Sequence, residues 1–269
     1  MGVSRSGYYR YIKANDQRKI QPDFHLISKV REIHSQAKRK YGSRRMSKQL
    51  RAEGHDVGRY QARNLMKKAG VSVTYKKRFK RTTDSKHNLP VAKNLLDRRF
   101  DIVKPNTVWC ADITYLWTNE GWLYLAVVID LYSRKVVGWA LSKRMKVFLV
   151  KDALSMAYFR RRPGKGLIHH SDRGSQYAAG EYQKLLNQYG MTCSMSRKGN
   201  CWDNAVVESF FHTLKTEYTD EKQYSTRDEA RIDVIDYIEM FYNSYRLHST
   251  LGYENPNDFE KGIINKKVA

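Results

Sequence analysis

Val108-Trp109-Cys110-Ala111-Asp112-Ile113-Thr114-Tyr115-Leu116 reads as a β-strand carrying a carboxylate near its middle. Val, Ile, Trp and Tyr suit a pleated, half-buried surface. An Asp in such an apolar setting is costly unless it is paired or binds a metal. Two further strand-like runs follow at 123–131 and 135–141, joined at Tyr132-Ser133-Arg134. Next come a helical pattern over 146–159, a short strand over 167–170, a helix over 179–189, a strand over 191–194 and a long helix over 203–218. Three antiparallel strands followed by helix, strand, helix, strand and helix predict an α/β fold, a mixed five-stranded sheet flanked by helices on both faces.

Two more acids stand out around that sheet. Asp172 immediately follows the fourth strand within His169-His170-Ser171-Asp172-Arg173-Gly174-Ser175-Gln176-Tyr177, where a sheet's carboxyl edge presents functional groups and Gly174 lets backbone approach a phosphate. Glu208 follows Asp172 with 35 residues between them, on a helix whose buried stripe is Val207, Phe210, Leu214 and Tyr218. Asn204, Glu208, His212 and Lys215 form an adjoining polar stripe. Taken singly, a strand Asp is more often a turn or hydrogen-bonding residue and a helix Glu is usually only exposed. Together the three acids suggest carboxylates converging on divalent metal ions for phosphodiester chemistry. Asp130 also ends an apolar strand, but the Leu-Tyr-Ser-Arg after it is hairpin chemistry, so its role is read as structural.

The front of the chain is helical in pattern. Residues 24–37 place Leu26, Ile27, Val30 and Ile33 at helical spacing, and Ser43 is expected to cap a second helix through Leu50 and Ala52. Gly54 breaks the pattern. A third helix over 59–69 would bury Ala62, Leu65 and Met66 while exposing Arg59, Arg63, Lys67 and Lys68. Two short helices with a Gly-containing turn fit a helix-turn-helix whose second helix offers its basic face to DNA; an ordinary three-helix bundle fits the same spacing. Tyr75-Lys76-Lys77-Arg78-Phe79-Lys80-Arg81 centres a polar, basic stretch able to follow phosphates. In the tail, Thr226 with Glu229 makes a capping box for a helix through Ile232, Ile235, Tyr237, Ile238 and Phe241. The expected organisation is a helical region over 1–70, a basic linker over 71–100, a catalytic core over 101–222 and a helical extension over 223–269.

The net charge is +23 over 269 residues, and residues 1–100 alone hold 27 Lys+Arg against 7 Asp+Glu. Dense positive charge attracts phosphate backbones by counterion release without reading sequence, although a ribosome-bound or merely solvated basic surface has the same composition. With 41% apolar residues the chain can bury a substantial core. No run of about 18 apolar residues or signal-like front is present, so a cytoplasmic, nucleoid-associated protein is expected. Cys110, Cys193 and Cys201 are too few and too scattered for a disulfide framework or a zinc quartet and are read as small buried hydrophobes.

The blocks Trp109 to Tyr115, His170 to Tyr177 and Asp203-Asn204-Ala205-Val206-Val207-Glu208-Ser209-Phe210-Phe211 resemble the DDE catalytic core of bacterial insertion-sequence transposases. The resemblance extends to Leu214-Lys215-Thr216-Glu217, to Tyr242-Asn243 with Arg246, His248 and Leu251-Gly252-Tyr253, and to Gly2 through Tyr9 and Tyr41 through Arg45 at the front. It is strongest to the OrfB-type proteins of the IS-three family, relatives of retroviral integrases. It implies an RNase H-like core in which Asp112, Asp172 and Glu208 hold two Mg2+ ions, with Mn2+ able to substitute. Water would cut the element end, and the released 3′-OH would attack a second phosphodiester, through a circular intermediate in this family. Double-stranded DNA is the implied partner, bound by a homo-oligomer, with an upstream OrfA-like segment as a further partner. Lys215 is expected to position phosphate, with Asn204 and Gln176 near the site and Arg59, Arg63, Lys67, Lys76, Lys77 and Arg78 as further DNA contacts. A structure-selective nuclease of the same fold and a DNA-binding regulator without catalysis are the alternatives.

Overall fold

The computed structural model describes residues 4–18, 24–73, 89–197, 201–220 and 222–268. It divides into two compact units, Met1–Thr74 and Tyr75–Ala269.

The first unit is helical: Arg5–Arg18 (α1), Phe24–Gln36 (α2), Ser43–Ala52 (α3) and Arg59–Lys68 (α4). Helix α1 has too weak an apolar periodicity to stand out in the sequence. Ile27, Val30, Ile33, Met46, Leu50, Val57, Ala62, Leu65 and Met66 are all buried, as an amphipathic three-helix packing of α2, α3 and α4 requires. The turn between α3 and α4 uses Gly54 at φ +87°, where a side chain would be strained. Ser47 Oγ donates to the Val57 carbonyl at 2.6 Å and pins that turn to α3. Ser43 is not the cap that its type suggests: Gly42 occupies the cap position without a side-chain bond, and Ser43 is the first helical residue.

The second unit holds one sheet in the order β3-β2-β1-β4-β5. Its strands are Val108–Thr118 (β1), Gly121–Asp130 (β2), Val136–Ser142 (β3), Ile168–Ser171 (β4) and Thr192–Met195 (β5). The first three are antiparallel, and β4 and β5 add in parallel. This is the RNase H-like arrangement, reached because β1 is central and buried on both faces. Helices Val147–Arg161 (α5), the short Ser175–Ala178 (α6) and Gly180–Gln188 (α7) follow the strands. On one face Trp109, Ala111, Ala126 and Val128 pack with Leu149, Ala153, Leu154 and Ala157 of α5. At Gly138 of β3 an added Cβ would lie 2.2 Å from the Ala153 carbonyl oxygen, so only glycine permits that close approach.

On the other face Cys110, Leu116, Leu125 and Val127 pack with Val207, Phe210 and Leu214, from Ala205–Leu214 (α8), and with Val234, from Arg227–Asp236 (α9). The expected long helix over 203–218 is composite: a 3-10 turn Cys201–Asn204 leads into α8, and a π-helical turn Lys215–Thr219 follows. The wider turn changes the register, so Thr216, Glu217 and Thr219 are buried while Tyr218, expected in the buried stripe, is only half-buried. Thr226 caps the helix as expected, accepting from Glu229 N at 3.1 Å, but the Glu229 carboxylate accepts from Ser225 N at 2.8 Å, one residue before the cap, rather than closing the box on Thr226. A second π-helical turn, Tyr237–Tyr242, extends α9. The Asn/Pro-rich tail forms one more helix, Pro256–Val268 (α10), which the pattern did not reveal.

Asn243 bonds both backbone groups of Val136 at 3.0 Å, just where β3 shifts register against β2, and so satisfies an edge strand at its bulge. Asp130 is structural as read: it is buried and accepts from Asn106 N at 2.8 Å and Tyr132 N at 3.0 Å. The linker expected over 71–100 needs correcting at its second half. Leu96 is buried in the core, Leu95 N donates to Ser194 Oγ at 2.9 Å, and Asn94 and Arg98 bond Asp203 at 2.9 and 3.0 Å. Residues 89–100 are therefore part of the second unit despite their polar composition.

Candidate active site

The parallel ladder between β1 and β4 runs from Val108 opposite Ile168 to Ala111 opposite Ser171 and stops there. The next residue on each strand is an aspartate. Continuing the register by one step would bring Asp112 next to Asp172. Asp112 remains in the sheet on its other side, opposite Val127. Asp172 has left it, and its Oδ1 accepts from Gly174 N at 2.9 Å in an Asx-type turn. An added Cβ on Gly174 would lie 3.0 Å from that oxygen, a tight contact that the carboxylate would have to relieve.

Asp112 shares its strand face with Cys110 and Leu116, the face covered by α8. Val207, Phe210, Phe211 and Leu214 fasten α8 to the sheet, which leaves Glu208 exposed on the free side of its first turn. Asn204 Nδ2 donates to the carbonyl of Ala111 at 3.2 Å, tying the start of α8 to the residue before Asp112.

Burial pushes the Asp112 carboxyl well above the ordinary carboxylate range, and the charges of Asp172 and then Glu208 push the same way. A 2.7 Å bond from Ile113 N and the ammonium of Lys215 oppose the rise. Burial also raises Glu208 and lowers Lys215, whose charge is in turn favoured by Asp220 and Asp112. Lys215 Nζ lies 5.0 Å from the ring centre of Tyr115, so the lysine reaches β1 beside the acids. Among the described residues, no three His, Cys, Asp or Glu side chains are gathered closely enough to hold a metal ion. The charges of Asp172 and Glu208 both repel that of Asp112, Asp172 more strongly than Glu208.

Models of the integrase core domain match residues 103–201 and 189–256, and an HTH-like domain model matches 21–79. The transposase InsF of insertion sequence IS3A from Escherichia coli K12 is 41% identical over 99% of this chain and 92% of its own length. The chain belongs to the IS3 transposase family. A 31 kDa protein of insertion element IS600 from Shigella sonnei is 45% identical over 97% of this chain and 96% of its own. Among solved structures, the catalytic core of HTLV-2 integrase in complex with magnesium has a TM-score of 0.46 at 17% identity, covering 58% of this chain and 97% of that one. The core of BIV integrase has a TM-score of 0.43 over 61% and 99%.

Elsewhere in this transposase the expected DNA contacts fare differently. Arg59, Arg63 and Lys67 are exposed along α4, opposite its buried Ala62, Leu65 and Met66. Gln176 is half-buried and donates to the Met145 carbonyl at 3.2 Å. Asn204 needs correcting: it is only 4% exposed and holds α8 to β1, so it is not on an open polar stripe with Glu208 and His212. Lys76, Lys77 and Arg78 lie outside the described residues. Among the described residues, no helix is long and apolar enough to cross a membrane.

Two features escaped the sequence reading. Buried Asp203, read only as a helix start, accepts from Arg197 Nε and Nη2 at 3.0 and 2.9 Å as well as from Asn94 and Arg98, and Arg197 first among these holds its carboxyl below the usual range. It locks the segment before α8. Tyr177 is 2% exposed, its hydroxyl has no hydrogen-bond partner among the described residues, and burial together with the charge of Asp112 pushes its pKa up. The sequence block ending at Tyr177 contained that residue, but only the packing marks it.

Proposed function

We propose that Asp112, Asp172 and Glu208 are the catalytic and metal-binding acids with which this transposase cleaves element ends and joins the released 3′-OH to another phosphodiester. The observation that carries this reading is the register that sets Asp112 beside Asp172 at the open end of the β1–β4 ladder, under the helix bearing Glu208. The donor set fits divalent ions: its oxygens are hard ligands, and the repulsion that raises Asp112 is what a cation between the acids would relieve. These residues would hold two Mg2+ ions, with Mn2+ accepted in their place. When bound, such ions activate an attacking hydroxyl and neutralise charge on the phosphate and the leaving oxygen.

Lys215 would hold a phosphate oxygen beside the acids, its ammonium aimed by the Tyr115 ring. Asn204 keeps α8, and with it Glu208, in place relative to Asp112. Arg59, Arg63 and Lys67 would seat α4 on duplex DNA, the helical region over 1–70 acting as the helix-turn-helix module and 223–269 as an extension of the core over 101–222. A homo-oligomer on DNA, help from an OrfA-like segment and a place at the nucleoid complete the reading.

Incubation of the full chain with duplexes bearing candidate element ends in Mg2+, scored for nicked and joined products, tests it. Joined products that vanish with EDTA are expected. Nicking without joining would favour a nuclease of the same fold, and binding without either would favour a regulator.

A further inference from the structure

Beyond Ala111 the side of β1 that pairs with β4 is open. Among the described residues it meets only the isolated bridge of Thr118 with Tyr224. Along this stretch β1 and β2 place aromatic residues directly opposite one another, Tyr115 with Tyr124 and Trp117 with Trp122, all on one face. The rings form a continuous ladder. Tyr115 to Trp122 and Trp117 to Trp122 are each 4.7 Å between centroids in edge-to-face geometry, and Tyr115 to Tyr124 is 6.4 Å. Cross-strand aromatic pairs stabilise a hairpin, but that role does not require indoles to face water. Here Trp117 is 59% and Trp122 is 40% exposed.

The ladder lies on the face of β1 opposite the one that carries Asp112, and it starts at Lys215. Lys215 Nζ sits 5.0 Å from the Tyr115 ring, and Trp117 follows Asp112 on the same strand at a rise of roughly 16 Å. Glu120 in the hairpin turn is matched by Arg227, whose backbone N–H donates to its Oε2 at 2.8 Å and whose guanidinium lies 3.9 Å away. A row of solvated π-faces that begins at a cation, across the strand from the phosphodiester site, has the chemistry that recognises unpaired nucleobases.

We propose that Tyr115, Trp117 and Trp122 form a stacking platform for bases unpaired from the DNA end held at the acids. The proposal rests on the acids being the active site. It predicts that the transposase prefers a frayed end to a blunt one, without regard to which base is unpaired, because every base offers a π-face.

The test uses the full chain carrying Asp112→Asn, so that DNA stays uncut and binding is read apart from catalysis. Fluorescence anisotropy at fixed salt compares a blunt duplex with the same duplex ending in four unpaired thymidines. The frayed probe should bind more tightly. Trp117→Ala and Trp122→Ala should each weaken it by about tenfold while leaving the blunt probe unchanged, and Trp117→Phe should restore most of the loss. Equal losses on both probes, or no loss on either, would overturn the platform. So would sedimentation showing that Trp117→Ala dissociates an oligomer while the frayed preference persists, because the surface would then be a contact between copies of the chain. Failure of the acids as catalysts would show in cleavage assays of the unmutated site and would leave this binding comparison intact.

Discussion

Removing Arg246 should be among the most damaging single changes outside the acids. Its Nε and Nη2 donate to Glu217 Oε2 and Oε1 at 2.7 and 2.8 Å, a bidentate pair whose side chains are only 8% and 6% exposed. In Arg246→Met the carboxylate of Glu217 stays buried without that cation, which costs about 3–5 kcal/mol. For a unit of this size each kcal/mol lowers the melting temperature by about 2–4 °C, so a fall of roughly 6–20 °C is expected. Glu217→Leu with Arg246→Met removes both charges together and should recover more than half of the loss, since an apolar pair of similar volume carries no desolvation cost. Urea and thermal melts of the four members of this cycle at pH 7 give the coupling energy. A single-variant cost below about 1 kcal/mol, or strictly additive effects, would refute the reasoning. The pair also fixes the π-helical turn that begins with Lys215. Arg246→Met should therefore lose joining activity even at temperatures where it remains folded.

Stability should also fall on mild acidification. Burial lowers His169 to about 3 and His170 to about 4, while both titrate near 6.5 when unfolded. Above pH 6.5 both states are neutral and stability is flat. Below it the unfolded chain takes up protons that the folded one refuses, costing about 1.4 kcal/mol per pH unit per histidine until the folded values are reached. Melts at pH 7.5 and 5.5 in Asp112→Asn, which removes the opposing gain from a raised carboxyl, should differ by about 3 kcal/mol; equal stabilities would contradict it. Replacing Arg59, Arg63 and Lys67 by Ala should lower DNA affinity and reduce the slope of log affinity against log salt by about 0.9 for each phosphate no longer neutralised. Titration between 50 and 200 mM salt checks this, and an unchanged slope would remove α4 from the DNA interface. Lys215→Ala should reduce both cleavage and joining while leaving the melting temperature nearly unchanged; full activity would end its assignment to phosphate.

What could be read from the sequence was local. The β-branched and aromatic runs around Asp112 located the strands, the spacing of Ala62, Leu65 and Met66 located α4, and Thr226 with Glu229 located a helix start. The three acids were visible because each interrupts a pattern or sits at its edge. Features depending on contacts between distant residues were not visible. The π-helical turn after Leu214 goes with a buried pair formed with Arg246, 29 residues further on. Asn204 has the spacing of an exposed stripe, yet its amide is drawn into a bond with Ala111, 93 residues earlier. Residues 89–100 have linker composition, but Asn94 and Arg98 are held by Asp203 across 109 and 105 residues. Even the juxtaposition of Asp112 with Asp172 depends on which strands pair and in what register, which periodicity alone does not specify.

The most direct measurement is Mg2+-dependent cleavage and joining of element-end duplexes by Asp112→Asn, Asp172→Asn and Glu208→Gln, each compared with unmodified protein at matched DNA occupancy. All three variants should bind DNA and yield neither nicked nor joined product. Cleavage or joining that survives in any one of them would contradict the assignment of that acid and, for Asp112 or Asp172, the site itself.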